Sequence, residues 1–310
     1  MYRLSSGELK YNHFVKLEFM PELPEVETIR RQLEPLIAGK TISGIEVLNP
    51  KSFGGDEGEL AGKRITGVGR KGKVLILSLI RSDLGVRQGR TLRSNLYIHL
   101  KMSGQLQFKK DGPLWERTVL YRHKHLRVKI KFLDKSELWF IDQRKFGWVT
   151  DNPAVLPMGI DALDVDLTAE KLEEILKSSN RPIKTILLDQ SKIAGIGNIY
   201  ASEILWQAGI SPLAKFKEEG RRKKEEGGKN QFGKFRKLPI SIRKLLIEAI
   251  KYGGSTMDDG LYQHVSGDSG NYWSRRRVYD REGEPCLRCK TPIKKGIIGQ
   301  RSTYWCPKCQ

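Results

Sequence analysis

Leu126-Arg127-Val128-Lys129-Ile130-Lys131-Phe132 alternates apolar and basic side chains without a break. Successive side chains of a strand point to opposite faces. This period of two therefore predicts a half-buried β-strand with Leu126, Val128, Ile130 and Phe132 on the core side. Asp134-Lys135 supplies a turn, after which Leu138 and Phe140 resume the alternation. Val74–Leu79 and Leu96–Leu106 read as further strands, so residues 41–149 are mostly β. One helix precedes them: Pro24 can open it, Val26, Ile29, Leu33 and Leu36 recur at helical spacing, and Gly39 stops it. Pro35 is expected to distort its last turn.

Past Thr150 the periodicity changes. Thr150–Asp166, with Pro153, Pro157 and Gly159, reads as an interdomain linker. Apolar residues then recur at helical spacing in Leu172–Leu176, Ile183–Leu188, Ile199–Ala208 and Ile240–Ile250. Lys215–Lys237 carries ten basic and four acidic residues and has the composition of a disordered, solvated loop that can touch DNA non-specifically. Residues 1–19 show no periodicity and are set apart as an extension.

Lys and Arg total 56 against 36 Asp and Glu, a formal charge of +20. An excess of this size points to a polyanionic partner, since neutralised phosphates release their condensed counterions. The longest apolar stretch, Val74–Ile80, is far short of the ~20 residues of a membrane-spanning helix. The first 19 residues lack the apolar core of a signal peptide. All four cysteines fall within the last 25 residues, which leaves no disulfide framework elsewhere and suits a reducing, intracellular compartment.

Those cysteines form two pairs, Cys286-x₂-Cys289 and Cys306-x₂-Cys309, with 16 residues between them. Each pair can present two thiolates on a tight turn, and two turns complete a tetrahedron around one structural Zn2+. The intervening segment has the length of a β-hairpin. No thioredoxin-like βαβ context surrounds either pair, which argues against a redox role. Between two predicted helices lies Ala194-Gly195-Ile196-Gly197-Asn198. Its glycines allow close backbone approach, Asn198 can cap the following helix, and the free N–H groups there suit a phosphate.

Three motifs together carry a resemblance: Met20-Pro21-Glu22-Leu23-Pro24-Glu25-Val26-Glu27-Thr28, the run Leu188–Ser191 with Ala194–Glu203, and Gln300–Gln310. The chain from Met20 onward, apart from Lys215–Lys237, resembles the formamidopyrimidine-DNA glycosylases, which excise oxidised purines. The resemblance implies an α+β multidomain fold: an N-terminal β-sandwich with flanking helices, a helix–two-turn–helix domain and a C-terminal zinc-finger β-hairpin. It divides the chain into the extension 1–19, a catalytic domain 20–150, a DNA-binding domain 151–265 with the basic insertion 215–237, and the end of a lesion loop with the finger at 266–310.

In that family the nucleophile is the secondary amine of an N-terminal proline, which Pro21 matches. A free α-amine has a pKa of ~7.7–8.0, so part of it is unprotonated near neutrality. Attack on the sugar C1′ expels the base and leaves an iminium that drives β,δ-elimination. Glu22 matches the acid/base residue and Glu25 a second acidic position. Lys73 and His99 match contacts to lesion-flanking phosphate; Asn198 and Arg301 match the two grips of the helical turn and the finger on the backbone. Met102, Arg144 and Phe146 match the trio that fills the void left by an everted base. Gly253–Thr256 with Met257–Arg277 matches a loop that closes over that base, and its Gly and Ser content suggests ordering only on lesion binding. Asp280 stands where the family commonly has glycine and is expected to alter a hairpin turn.

One departure matters. With residues 1–19 attached, Pro21 is an internal imide without a nucleophilic lone pair, so the resemblance requires either initiation at Met20 or proteolytic maturation. The implied partner is double-stranded DNA containing oxidised bases or abasic sites, bound by a monomer in the bacterial cytoplasm at the nucleoid. Two rivals remain: an endonuclease VIII-like enzyme for oxidised pyrimidines, and a non-catalytic DNA-binding protein whose amine stays blocked. Leu23 and the Asn198–Ala201 run favour the purine branch.

Overall fold

The computed structural model describes residues 20–81, 92–110, 124–216, 231–257 and 260–310. The extension 1–19 and residues 217–230 of the basic insertion lie outside these. The first helix, α1 (Leu23–Ile37), buries Leu23, Val26, Ile29, Leu33 and Ile37 along one stripe. Contrary to expectation, Pro35 leaves the last turn helical. Only two helical residues follow it, and Ala38 N–H still donates to Glu34 O at 3.1 Å, so a single hydrogen bond is forfeited. Gly39 ends the helix as anticipated, at φ +84°.

Two sheets form the N-terminal half. One has five strands in the order β2 (Phe53–Gly54), β9 (Trp148–Thr150), β5 (Leu92–His99), β4 (Val74–Arg81) and β3 (Arg64–Lys71). The other runs β1 (Ile42–Val47), β7 (Leu126–Phe132), β8 (Glu137–Asp142) and β6 (Gly104–Lys109). Leu75, Leu77, Leu79, Leu96 and Ile98 of the first share a core with Leu106, Val128, Ile130, Leu138 and Phe140 of the second. The Leu96–Leu106 run is interrupted: β5 ends at His99, and a turn with Lys101 at φ +51° precedes β6.

The alternation in β7 also breaks, at its first rung. Val128 pairs with Phe140 and Ile130 with Leu138 on the core face, but the register shifts between Leu126 and Val128. The shift moves Leu126 to the outer face, where it packs with Trp139 and Ile141. Arg127 is buried rather than solvated, and its guanidinium donates to the carbonyls of Asp142, Lys124 and Leu126.

The linker stretch proves to be more than a tether. Its β10 (Ile160–Asp161) pairs parallel with β11 (Ile193–Ala194), and Asp161 accepts two hydrogen bonds from Arg70 and one from Gly72 N–H. After a one-turn α2 (Glu57–Leu60) in the N-terminal half, the helical half contains α3 (Ala169–Lys177), α4 (Ile183–Leu188), α5 (Asn198–Ala208), α6 (Gln231–Arg236) and α7 (Leu238–Lys251). The end of the basic insertion is therefore helical rather than disordered. Phe235 and Phe216 explain it: both are buried and meet edge to face at 5.3 Å, anchoring the described ends of the run. Finally β12 (Lys294–Ile298) and β13 (Arg301–Trp305) make the C-terminal hairpin. No helix among the described residues is long and apolar enough to cross a membrane.

α1 ties the two halves together, because it packs on β3 on one side and on α7 on the other. Its N-terminus thereby opens at the seam between the sandwich and the helices.

Candidate active site

Glu22 immediately precedes α1 and is 3% exposed. Its carboxylate accepts the N–H groups of Gly197 at 2.7 Å, Ile199 at 2.9 Å and Tyr200 at 3.3 Å. The free N–H groups at the start of α5 thus hold a carboxylate of the chain itself, where the sequence suggested a phosphate. Gly197 makes this possible: a Cβ there would lie 2.3 Å from the Glu22 carboxyl carbon. Asn198 is correspondingly not the cap. Gly197 occupies that position, and Asn198 Nδ2 donates to Ser302 O at 3.0 Å and Tyr279 Oη at 3.3 Å. Asn198 Oδ1 is buried and has no hydrogen-bond partner among the described residues.

Burial pushes the Glu22 carboxyl up, against Lys73 and the three N–H groups, which favour its charge. Glu25 lies one turn deeper and is fully buried. It accepts Glu22 N–H at 2.8 Å, Ser255 N–H at 2.7 Å and the Tyr200 hydroxyl at 2.6 Å. Burial, then the neighbouring Glu22 charge, raise its pKa to about 7. Lys73 is buried at 5% exposure; desolvation lowers its pKa, and Glu22 and Glu25 oppose that. The site is therefore a buried cluster in which carboxyls and an amine hold one another's charge in balance.

Met20, Glu22, Lys73, Met102, Gln190, Asn198, Tyr279 and Arg301 line one cleft of about 280 Å³ at the interdomain seam. Of the residues singled out from the sequence, five share it: Glu22, Lys73, Met102, Asn198 and Arg301. Pro21, between the lining residues Met20 and Glu22 in the chain, is buried and is not itself part of the lining. Glu25 sits behind Glu22, outside the lining. His99 is half-buried against Trp148 at 5.4 Å, with Nδ1 accepting Lys101 N–H at 2.9 Å. Burial first, then Lys101 and Lys73, lower its pKa to about 3, so it is neutral and Nε2 carries the proton. Arg144 and Phe146 stand on a neighbouring loop rather than in the cleft. Phe146 is 54% exposed, which removes it from the core, and the Arg144 guanidinium lies 5.1 Å from its ring centroid.

Arg301 is exposed and follows the two-residue turn Gly299-Gln300, both at positive φ, +56° and +61°. That turn rests against α4, since a Cβ on Gly299 would meet Thr185 Cγ2 at 2.2 Å. Beneath it lies a residue that sequence reading missed. Lys184 is fully buried, and its Nζ donates to Thr303 Oγ1 at 2.8 Å and Ser302 O at 3.0 Å. Burial lowers its pKa to about 7. Its only signal in the sequence is its place beside Ile183 in a short apolar helix.

Of the segment expected to order only on lesion binding, residues 258–259 lie outside the described ones, and the rest combines buried anchors with exposed residues such as Ser266, Asp268, Ser269 and Asn271. Tyr262 and Tyr272 are buried, Tyr262 Oη donates to Gly253 O, and Val265 N–H donates to Gln32 Oε1. Asp280, standing where a glycine was noted as common, takes the left-handed conformation at φ +54°, and its carboxylate accepts the Tyr304 hydroxyl at 3.3 Å.

The sulfurs of Cys286, Cys289, Cys306 and Cys309 all lie within 4.8 Å of one another. Two of the separations, 3.9 Å for Cys286–Cys309 and 3.4 Å for Cys289–Cys306, bracket the ~3.8 Å edge of a Zn–S₄ tetrahedron. The group is a structural zinc site with no position left open for chemistry. It is also fastened to α5: Trp206 Nε1 donates to Cys286 Sγ at 3.4 Å, and the Arg288 guanidinium stacks 3.9 Å from the Trp206 ring.

Residues 20–149 match the family model of the formamidopyrimidine-DNA glycosylase N-terminal domain, and 158–259 match that of its H2TH domain. Residues 283–310 match a zinc finger found in FPG and IleRS. The formamidopyrimidine-DNA glycosylase of Chloroflexus aggregans is 39% identical over 306 residues, covering 94% of this chain and 98% of the relative. That of Deinococcus radiodurans is 35% identical, covering 94% and 97%. The crystal structure of MutM (Fpg) from Thermus thermophilus superposes with a TM-score of 0.74 at 32% identity, covering 94% of this chain and 98% of that one. Lactococcus lactis Fpg in complex with abasic-site DNA gives the same score and identity, with coverages of 93% and 99%. With its three parts matched in order and nearly all of its length covered, the chain belongs to the formamidopyrimidine-DNA glycosylase family.

Proposed function

We propose that this chain, once Pro21 is its N-terminus, is a bifunctional DNA glycosylase and abasic-site lyase that excises oxidised purines from double-stranded DNA. The observation that carries this reading is the position of Met20. It forms part of the wall of the cleft that also holds Glu22, Lys73, Asn198 and Arg301, and it is the residue acylating the Pro21 nitrogen, so its removal both enlarges that cleft and frees the amine beside it. The freed amine attacks C1′, the base departs, and the iminium that results withdraws electrons for β- and then δ-elimination of the flanking phosphates. Glu22 hands a proton to the opening sugar, and Lys73 with His99 takes the lesion-flanking phosphate. Glu25 sets the charge balance behind Glu22.

Asn198 and Arg301 grip the backbone from the helical domain and the finger, which lets residues 20–150 do the chemistry while residues 151–310 hold the duplex. Met102, Arg144 and Phe146 fill the space the everted base leaves: a thioether and a ring can wedge between bases, and a guanidinium can hydrogen-bond the orphaned partner. The protein works in the cytoplasm on the chromosome; the relatives named above are bacterial.

Single-turnover excision from an 8-oxoguanine:cytosine duplex, compared with a thymine-glycol:adenine duplex, tests the substrate assignment. Faster release of the purine supports it, and the reverse order would move the chain to the oxidised-pyrimidine branch. Arg301→Ala is expected to weaken binding to every duplex and to reduce the slope of log K against log salt by about 0.9, the value of one phosphate contact. Fluorescence anisotropy across a salt series measures it; an unchanged slope removes Arg301 from the backbone grip. A non-catalytic DNA-binding protein is the second reading, favoured by the residue actually attached to Pro21 in the full chain.

A further inference from the structure

Two loops leave the same end of one β-ladder. β6 begins at Gly104, β8 ends at Asp142, and these two residues are register partners. The turn carrying Met102 runs into that rung, and the loop carrying Arg144 and Phe146 runs out of it. Between them lies a buried polar junction, with Ser103 3% exposed and Asp142 0%. Ser103 Oγ donates to Asp142 Oδ1 at 2.5 Å and accepts Arg144 N–H at 2.9 Å. The same carboxylate accepts Arg144 N–H at 3.1 Å and Gly147 N–H at 2.7 Å. From behind, Arg127 Nε donates to the Asp142 carbonyl at 2.8 Å. The register shift in β7 falls at Arg127, so the irregular rung and the junction belong to one construction.

Apolar residues would close this ladder end with no polar group to desolvate. A fully bonded polar junction instead fixes one geometry, because every donor it leaves unpaired is costly. The Ser103 hydroxyl is the cross-loop member: Asp142 caps its own loop with or without it, but Ser103 bonds both the carboxylate and the backbone of the other loop.

We propose that Ser103 and Asp142 lock the Met102 turn and the Arg144–Phe146 loop into one rigid wedge, so that the two loops enter the duplex as a unit during base eversion. Both are positioning residues, and the inference rests on the void-filling reading of Met102 and Phe146 given above.

The test uses the full chain processed to Pro21, with Ser103→Ala, Ser103→Thr, Met102→Ala, Phe146→Ala and the double variants. Readouts are single-turnover excision on an 8-oxoguanine:cytosine duplex, 2-aminopurine fluorescence beside the lesion, and cleavage of an abasic site in a single-stranded oligonucleotide. Ser103→Ala is expected to slow eversion and duplex excision about tenfold, the scale of a small misplacement of working groups. Single-strand cleavage should change less than about twofold, and Ser103→Thr should restore most of the loss by keeping the hydroxyl. Met102→Ala and Phe146→Ala should be non-additive with Ser103 present and multiplicative without it, as double-mutant cycles report coupling. Parent-like duplex excision by Ser103→Ala, alongside a slow Met102→Ala, would overturn the lock and leave the void-filling reading intact. Equal slowing on duplex and single strand would overturn it as well, by exposing a general defect. If neither Met102→Ala nor Phe146→Ala affects eversion, the void-filling reading fails first and the lock with it.

Discussion

Glu22→Gln is expected to lower base excision by about 10²–10⁴-fold, the range for loss of a positioned acid or base. The cause is chemical before it is structural. Gln cannot deliver a proton to the opening sugar, and it removes the negative charge that faces Lys73 in the buried cluster. A structural cost accompanies it, because both carboxylate oxygens are in use: Oε1 accepts Ile199 N–H, and Oε2 accepts Gly197 and Tyr200 N–H. An amide can accept on one side only, so at least one donor at the start of α5 is left facing an NH₂ group, at about 1–3 kcal/mol. Stability should therefore fall measurably while duplex affinity stays within a few-fold, since Asn198 is still held by Ser302 and Tyr279. Single-turnover excision beside anisotropy binding and urea unfolding measures the three effects separately. Near-normal turnover would take the acid/base role away from Glu22.

Removal of zinc is expected to cost duplex affinity about ten- to a hundredfold, the worth of one hydrogen bond to charged phosphate. The finger does not stand apart from the helical domain. Gln310 Nε2 donates to Ile210 O, Arg288 donates to the carbonyls of Trp206 and Gln207, and Lys184 and Asn198 both end on Ser302 O. Losing the ion frees the hairpin that positions Arg301 and strands a buried lysine without its acceptors. Trp206, which touches Cys286 Sγ, should report the event as a red shift and loss of intensity in its emission. The expected result of chelation is parallel loss of Trp206 signal and of binding, both restored by added Zn2+. Binding that persists after the fluorescence change is complete would separate the finger from the DNA grip.

Much of the architecture was readable because it follows periodicity. The period of two placed Val128, Ile130, Leu138 and Phe140 on the core face, and helical spacing found α1, α4, α5 and α7 within a few residues. What escaped shares a physical reason: it depends on contacts between segments remote in the chain. Glu22 reaches Gly197 across 175 positions, and no local pattern distinguishes a carboxylate that caps its own helix from one that caps another. Lys184 looks like an ordinary surface charge until the hairpin closes over it. The bulge at Arg127 leaves the apolar–basic alternation intact while moving Leu126 to the other face. Within Gly253–Arg277 the Gly and Ser content drew the eye, while the apolar anchors Tyr262, Val265 and Tyr272, all buried, were equally in view. The cysteine spacing needed no such help, because two short turns with two thiolates each dictate their own geometry.

Borohydride trapping tests most directly whether the Pro21 amine is the nucleophile. The full 310-residue chain and a chain beginning at Met20, processed to Pro21, are incubated with an 8-oxoguanine:cytosine duplex and reduced. A covalent protein–DNA adduct with the processed form alone, mapped to Pro21, is the expected result, and residues 1–19 then act as a block to be removed or as sequence ahead of the true start. Equal trapping by the unprocessed full chain would contradict the account, because an imide nitrogen cannot form the iminium and another amine would have to be the nucleophile.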